Sequence, residues 1–329
     1  GGYDSSIVTA ILQNQRKEKL NTFTIGFKEK GFDEAPYAKE VAKYLGTNHT
    51  EYYCTAKDAA DIIPKLCDIY DEPFGDSSAI PTTIVSTLAK KDVSVTLSAD
   101  GGDEIFAGYG KYDQSLSYFN KFDKIPKPIK AVLNYGMSGI KPKYIPILNK
   151  TYNFNTRYEK VQNILKAKDI VESMKYISQH FTNNEINKLL RYDILTNKTN
   201  FDNKVNNQND NINQMLAIDY QTYMSDDILT KVDRATMSVS LEGREPLLDH
   251  RIIEFASQLP SNLKYKDGDK KWILKQITHK YLPKKMMDRP KMGFGVPITE
   301  WFKDELKEYF FIYLNKGRLD REGLFNSDE

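Results

Sequence analysis

Gly1-Gly2-Tyr3-Asp4-Ser5-Ser6 runs straight into Ile7-Val8-Thr9-Ala10-Ile11-Leu12, and this junction decides how the rest of the chain is read. Two glycines let the backbone turn tightly and come close to a ligand. The apolar run then predicts a helix that offers its first-turn N–H groups and positive dipole end to an anion. Ser5 and Ser6 add hydroxyl donors. Asp4 is foreign to a simple phosphate cradle, but an acid fits there if a divalent cation bridges it to phosphate oxygens. A polyphosphate site is the first expectation, while a plain turn with a Ser or Asp helix cap explains the same residues. A phosphate loop hangs from a strand end, and no strand precedes these glycines. The sequence therefore predicts a fragment whose first strand lies upstream of Gly1.

Downstream, short apolar runs alternate with helical patterns. Thr22 to Phe27 reads as a buried strand, Asp33 to Leu45 as a helix stopped by Gly46, and His49 to Tyr53 as a second strand. Ala56 to Tyr70 and Ile80 to Ala89 read as helices, and Val93 to Leu97 as a third strand. This alternation predicts an α/β fold with a parallel sheet and ligands beyond the carboxyl ends of its strands. After about Tyr109 the strand signals fade into long helical patterns broken at Pro126, Pro128, Pro142 and Pro146. Residues 194–213, rich in asparagine, read as a surface loop or linker. The expected organisation is an α/β core over 1–115, lacking its first strand, and a mostly helical, substrate-side half over 116–329.

Composition narrows the function classes. With 40% apolar and 28% charged residues the chain is ordinary for a globular protein, and 329 residues can bury a large core. A net charge of +2, from 47 basic and 45 acidic residues, gives no bulk electrostatic case for nucleic acid. Cys54 and Cys67 read as small apolar fillers in a reducing compartment. His49, His180, His250 and His279 fall in no zinc-ligand spacing. Neither a membrane-spanning apolar run nor a leader is visible, so the cytoplasm is the default expectation.

The third strand ends in Leu97-Ser98-Ala99-Asp100-Gly101-Gly102-Asp103-Glu104, then Ile105-Phe106-Ala107-Gly108-Tyr109. Three acids in five residues repel one another unless something positive sits among them. At a strand end that could be Mg²⁺ with bound phosphates; an acidic turn capping the next helix is the plainer explanation. The common mononucleotide loop is absent, because around Gly110-Lys111 the required Ser/Thr is Tyr112 and the first Gly is Ile105. No Gly-x-Gly-x-x-Gly turn appears either, so the phosphate chemistry is of another type.

Gly-Gly-Tyr-Asp-Ser-Ser resembles the pyrophosphate loop of the ATP-pyrophosphatase enzymes, the adenine-nucleotide alpha hydrolase-like group, with its leading Ser cut off. The rest resembles the synthetase domain of glutamine-hydrolysing asparagine synthetases. The matching stretches are Phe23 to Phe27, Asp71 to Phe74 with Ser78 to Pro81, Leu97 to Tyr109, Asp227 to Met237, Glu242 to Asp249, Lys271 to Lys275 and Arg289 to Phe294. They lie in family order and span Gly1 to about Phe302.

The resemblance implies ATP and Mg²⁺ as cofactors, and it implies roles for individual residues. Gly1, Gly2, Asp4, Ser5 and Ser6 would hold the phosphates that leave as pyrophosphate, with Asp4 on Mg²⁺. Ile25 would meet the adenosine through its backbone, Ser98 and Ala99 would close over the nucleotide, and Asp103 would be the second Mg²⁺ ligand. Asp100 stands where the family often carries Glu, at the position tied to the acyl-adenylate step, and Ala99 where Gly is common. Lys271 would neutralise charge building at the α-phosphorus, with its neighbour Lys270 a surface lysine. Asp233/Arg234 and Glu242/Arg244 read as ion pairs locking helices together.

The implied reaction joins aspartate and ammonia through a β-aspartyl-adenylate, releasing AMP and pyrophosphate. Ammonia would come from glutamine, hydrolysed in an N-terminal glutaminase domain that these residues do not contain. A homodimer is left open; no nucleic acid or membrane partner is expected. Three rivals remain: a sister adenylating enzyme (β-lactam synthetase-like or lasso-peptide cyclase-like), a tRNA-modifying pyrophosphatase, and a non-catalytic nucleotide-binding module.

Overall fold

The computed structural model describes residues 2–29, 31–139, 154–192, 210–289 and 295–329. Gly1, Pro142, Pro146, most of the asparagine-rich stretch and Pro290 to Phe294 lie outside the described residues. The chain divides into two compact units, Gly1–Phe106 with Thr222–Ile312, and Ala107–Gln221 with Tyr313–Glu329. The first is α/β and the second is helical.

The first unit opens with α1 (Tyr3–Asn14), β1 (Asn21–Phe27), α2 (Ala35–Leu45) and β2 (Asn48–Cys54). β1 and β2 pair in parallel, Ile25 opposite Tyr52. α2 starts two residues later than expected because Asp33 Oδ1 accepts the Ala35 N–H at 3.0 Å and Pro36 occupies the first turn. The helix expected over Ala56 to Tyr70 is broken into α3 (Ala56–Ile62), a 3₁₀ turn (Ile63–Lys65) and α4 (Leu66–Tyr70). Pro64 is the cause, since it has no N–H to continue the ladder. Thr55 and Asp58 close a capping box at the start of α3. α5 (Ala79–Lys90), β3 (Val95–Leu97) and α6 (Gly102–Phe106) follow.

The unit resumes with a π-helical turn (Met224–Leu229), α13 (Thr230–Met237) and β4 (Glu242–Arg244), numbered after the helices of the second unit. β4 is a strand that the sequence pattern did not announce. It pairs in parallel with β3, Leu97 opposite Arg244. The parallel sense is as expected, but among the described residues the strands form two separate parallel pairs. α14 (His250–Gln258), α15 (Ser261–Lys264), the short hairpin Tyr265–Lys266/Asp269–Lys270 and α16 (Trp272–Thr278) lead to α17 (Lys284–Met287), α18 (Ile298–Lys303) and α19 (Lys307–Tyr313).

Among the described residues, three apolar clusters hold this unit. Ile25, Phe27, Cys54, Ile80, Trp301 and Leu306 form one; Ala10 of α1, Val41, Leu282 and Met287 another; Ile105, Phe106, Ala256 and Leu274 the third. Each large buried side chain contributes about 1.5–3 kcal/mol. The last two clusters fix the first turn of α1, α6 and α16. Cys54 is a buried filler as expected, whereas Cys67 is exposed, because its helix α4 turns that face outward.

The second unit contains α7 (Gly110–Asp123), α8 (Lys127–Gly139), α9 (Phe154–Lys166), α10 (Ile170–Ser178), α11 (Asn183–Leu189), α12 (Asn211–Gln221) and α20 (Lys316–Glu322). α10 packs against α7, α9 and α12, burying Ile170 and Met174. α12 claims the last residues of the expected linker: Asp210 Oδ1 accepts the N–H groups of Ile212 and Asn213 at 2.9 and 3.1 Å, and Ile212 is buried.

Candidate active site

The first turn of α1 is one wall of the site. Gly2 precedes the helix in an extended conformation, and the Ser6 N–H closes the first turn on Gly2 O at 3.1 Å. Helix geometry presents the N–H groups of this turn outward. Ser5 is exposed and Ser6 buried, so only Ser5 lies on the open side. Among the described residues, a Cβ at Gly2 would meet nothing within 4 Å.

The loop after β3 is the second wall. Ser98 N–H donates to Arg244 O at 3.0 Å, carrying the β3–β4 ladder one residue further. Ser98 Oγ donates to Asp100 Oδ2 at 2.5 Å, fixing that carboxylate beside the strand end. Two glycines then bring α6 against α1. Gly101 has φ +87°, and a Cβ there would lie 2.2 Å from Leu248 Cδ2; a Cβ on Gly102 would lie 2.7 Å from Asp4 Oδ1. Any side chain at Gly102 would wedge the two helix starts apart.

Lys271 closes the site. It stands at the start of α16, just after the hairpin, with φ +55°, a left-handed conformation uncommon outside glycine. Its N–H donates to Phe106 O at 3.2 Å, tying it to the end of α6. Only 6% of the residue is exposed. Its ammonium forms an ion pair with Asp4 Oδ2 and another with Asp103 Oδ1, the latter at 2.7 Å. Burial pushes the ammonium toward losing its proton, but the charges of Asp4 and Asp103 outweigh burial, so its pKa is raised above the ordinary lysine value.

The fold thus brings Asp4, Asp103 and Lys271 into contact, with Gly2, Ser5 and Ser6 on the same turn as Asp4, and Ser98, Ala99 and Asp100 on the loop leading to Asp103. Ile25 is not among them. Its side chain is buried in the apolar core of the unit, so only its main chain is available to a ligand. Lys270 lies in the hairpin opposite Tyr265 and is half-buried rather than a surface residue.

The expected helix-locking pairs are arranged differently. Arg244 Nε donates to Glu242 Oε1 at 2.7 Å along the exposed β4, not between helices. Arg234 bonds Asp71 Oδ2 at 2.7 Å, joining α13 to the end of α4.

Two further groups were not singled out by the sequence pattern. Lys231 Nζ reaches Asp76 Oδ2 at 2.6 Å. Burial opposes the charge on Asp76, yet Lys231 and the N–H and hydroxyl of Ser78 hold its pKa below the usual carboxylate value. Glu245, immediately after β4, is half-buried, and burial with the charges of Asp100 and Asp233 pushes its carboxyl up. Lys231 and Glu245 sit in the stretches Asp227 to Met237 and Glu242 to Asp249. The groups that act on them most strongly, Asp76 on Lys231 and Asp100 on Glu245, come from elsewhere in the chain, so spacing alone could not reveal them.

A helix N-terminus and a lysine-bridged pair of carboxylates stand beside a parallel strand end, where α/β folds commonly place their ligands. The chain belongs to the asparagine synthase family, whose model matches residues 1–329. It is 34% identical over 325 residues to asparagine synthetase [glutamine-hydrolyzing] 1 of Bacillus subtilis, covering 97% of this chain and 49% of that protein. It is 29% identical over 316 residues to a putative asparagine synthetase [glutamine-hydrolyzing] of Mycobacterium bovis, with 94% and 46% covered. A putative asparagine synthetase [glutamine-hydrolyzing] 2 of Methanocaldococcus jannaschii is 44% identical over 138 residues, 40% of this chain and 25% of that protein. The chain spans about half the length of the first two relatives. Among the described residues no helix is long and apolar enough to cross a membrane.

Proposed function

We propose that this protein makes asparagine in the cytoplasm from aspartate, ATP and ammonia, releasing AMP and pyrophosphate through a β-aspartyl-adenylate. The observation that supports this reading most is the Asp4–Lys271–Asp103 cluster at the first turn of α1. The first turn, with Ser5 on its open side, receives the β- and γ-phosphates. Lys271 supplies positive charge where the aspartate carboxylate attacks the α-phosphorus. Such a contact strengthens in the transition state and so accelerates the step. Ser98 and Ala99 flank the nucleotide. Asp100, oriented by Ser98 Oγ, stands ready to take a proton as ammonia adds to the acyl carbon.

The donor set also fits Mg²⁺. That ion favours oxygen ligands and is commonly held by one or two carboxylates plus substrate phosphates. Asp4 and Asp103 provide two carboxylates around one positive charge, and among the described residues no group of three or more metal-ligating side chains forms. When bound, Mg²⁺ would neutralise phosphate charge as the pyrophosphate leaves. The relatives' names say that they hydrolyse glutamine; in this reading ammonia is passed on from a glutaminase domain in the full-length protein.

A pyrophosphate-release assay with Mg·ATP, ammonia and a panel of carboxylic acids tests the proposal. Release with aspartate, and asparagine as product, is expected. Release only with another acid would move the protein to a sister amide-forming enzyme. Nucleotide binding without release for any acid would leave a binding module.

A further inference from the structure

The Asp4–Lys271–Asp103 cluster also bears on how the site admits its metal, provided that the metal–nucleotide reading of the site holds. Asp4 and Asp103 come from the first turns of two different helices, α1 and α6, and one buried ammonium lies against both. A cation entering between those carboxylates from water must displace Lys271. The displaced ammonium, with only 7% of its side chain exposed, would then lose both counter-charges in a poorly solvated place, which is strongly unfavourable. A divalent ion that arrives with a polyphosphate changes this balance, because the phosphate oxygens offer the ammonium a new partner.

The backbone is built for such an exchange. Lys271 is anchored by its N–H on Phe106 O at 3.2 Å and by the Lys275 N–H on its own carbonyl at 2.9 Å. Its main chain is thereby fixed to α6 and α16, and only the four-carbon stem has to swing. A lysine suits this better than an arginine, being a compact charge on a flexible stem rather than a rigid fork.

We propose that Lys271 is the selectivity element of the metal site: it occupies the Asp4–Asp103 pair as an internal counterion, excludes free divalent cation, and yields the pair only to a metal–polyphosphate complex. It is thus a specificity-determining residue as well as the transition-state cation.

The test is Mn²⁺ titrated alone, without nucleotide, followed by calorimetry. Wild type, Lys271→Gln, Lys271→Met and the double variant Lys271→Gln/Asp103→Asn are compared, each checked for native circular dichroism. Gln keeps hydrogen-bond donors near both acids, so it guards against failure of the Met variant to fold. The Gln variant is expected to bind Mn²⁺ at least about tenfold tighter than wild type, about 1.4 kcal/mol, and the double variant to lose that gain. A folded Gln or Met variant that binds Mn²⁺ no tighter than wild type overturns the proposal. A gain that survives in the double variant also overturns it, because the metal would then bind elsewhere. Binding of α,β-methylene-ATP to wild type with and without Mn²⁺ separates the two layers. Equal affinities would remove the metal–nucleotide reading itself, and this proposal with it; tighter binding with Mn²⁺, beside unchanged Mn²⁺ affinity in the Gln variant, would defeat the selectivity role alone.

Discussion

Lys271 and Lys111 are both lysines drawn inward by aspartates, and their two clusters differ in how many carboxylates the ammonium faces. In the first unit one ammonium faces two carboxylates, Asp4 and Asp103. In the second unit one carboxylate, Asp219, fully buried, receives Lys111 Nζ at 2.7 Å and the Tyr112 hydroxyl at 2.5 Å. The first cluster sets two carboxylates against one ammonium at the first turns of two helices, which in the proposed function suits a further cation and its anion. The second gives a single acid two donors in the helical core. Under the proposed function, similar chemistry would serve ligand capture in one place and packing in the other.

The largest effect that would break this contrast concerns Lys271→Ala. Pyrophosphate release should fall by roughly 10²–10³ or more, while nucleotide affinity stays within about tenfold, about 1.4 kcal/mol. Unchanged turnover per folded molecule would take Lys271 out of the chemistry and make the two clusters equivalent.

Lys111→Met is the counterpart in the helical unit. It leaves Asp219 buried with half of its support, so stability should drop by about 3–5 kcal/mol in urea denaturation. Lys111→Met/Asp219→Leu should recover most of the loss, because an apolar pair of similar volume needs no counter-charge. Turnover per folded molecule should stay near the wild-type value in both. A fall by tenfold or more without unfolding would show that this cluster also serves the reaction.

A smaller difference separates two glycines. Gly102→Ala drives a Cβ to 2.7 Å from Asp4 Oδ1, whereas at Gly110, the first residue of α7, a Cβ meets nothing within 4 Å among the described residues. The first substitution should cost about 1–3 kcal/mol of stability and weaken nucleotide binding as Asp4 is displaced. The second should stay within about 0.5 kcal/mol. Thermal unfolding of the two variants decides the matter, and equal melting points would mean that the helix starts are not held in close contact.

What was legible in the sequence divides along the same line. The start of α1, the loop from Leu97 to Glu104 and the parallel pairing of β1 with β2 follow from local signals: glycine pairs, an apolar period, and alternating strand and helix lengths. β4 was not legible, because Glu-Gly-Arg has no apolar alternation and becomes a strand only through β3 beside it. The break at Pro64 was visible in principle, and an otherwise helical pattern on both sides of it masked the signal. That Lys271 takes a left-handed backbone after the Asp267-Gly268 turn was beyond any pattern of residue types. The Asp219 cluster was invisible for a simpler reason: Lys111 and Asp219 are far apart in sequence, and each alone looks like a solvated surface residue.

The smallest expected effect is also the one that sharpens the comparison most, since the two clusters should respond to pH in separate windows. Burial raises the carboxyl of Asp219, and Lys111 and Tyr112 only partly offset it. The folded protein then holds a proton that the unfolded chain has already lost, so stability should fall as pH rises from about 4 through the folded value. Lys271 is raised as well, its two carboxylates outweighing burial. Its contribution is fully present below the ordinary lysine value of about 10.4 and should be lost as pH climbs through the folded one. Each transition has a limiting slope of about 1.4 kcal/mol per pH unit. Asp219→Asn should flatten the acidic branch of the stability profile and spare the alkaline one; Lys271→Ala should flatten the alkaline branch. Urea midpoints measured across pH would show it, and an acidic branch unchanged in Asp219→Asn would mean that the buried carboxylate of the helical unit is as well balanced by its donors as an exposed one is by water.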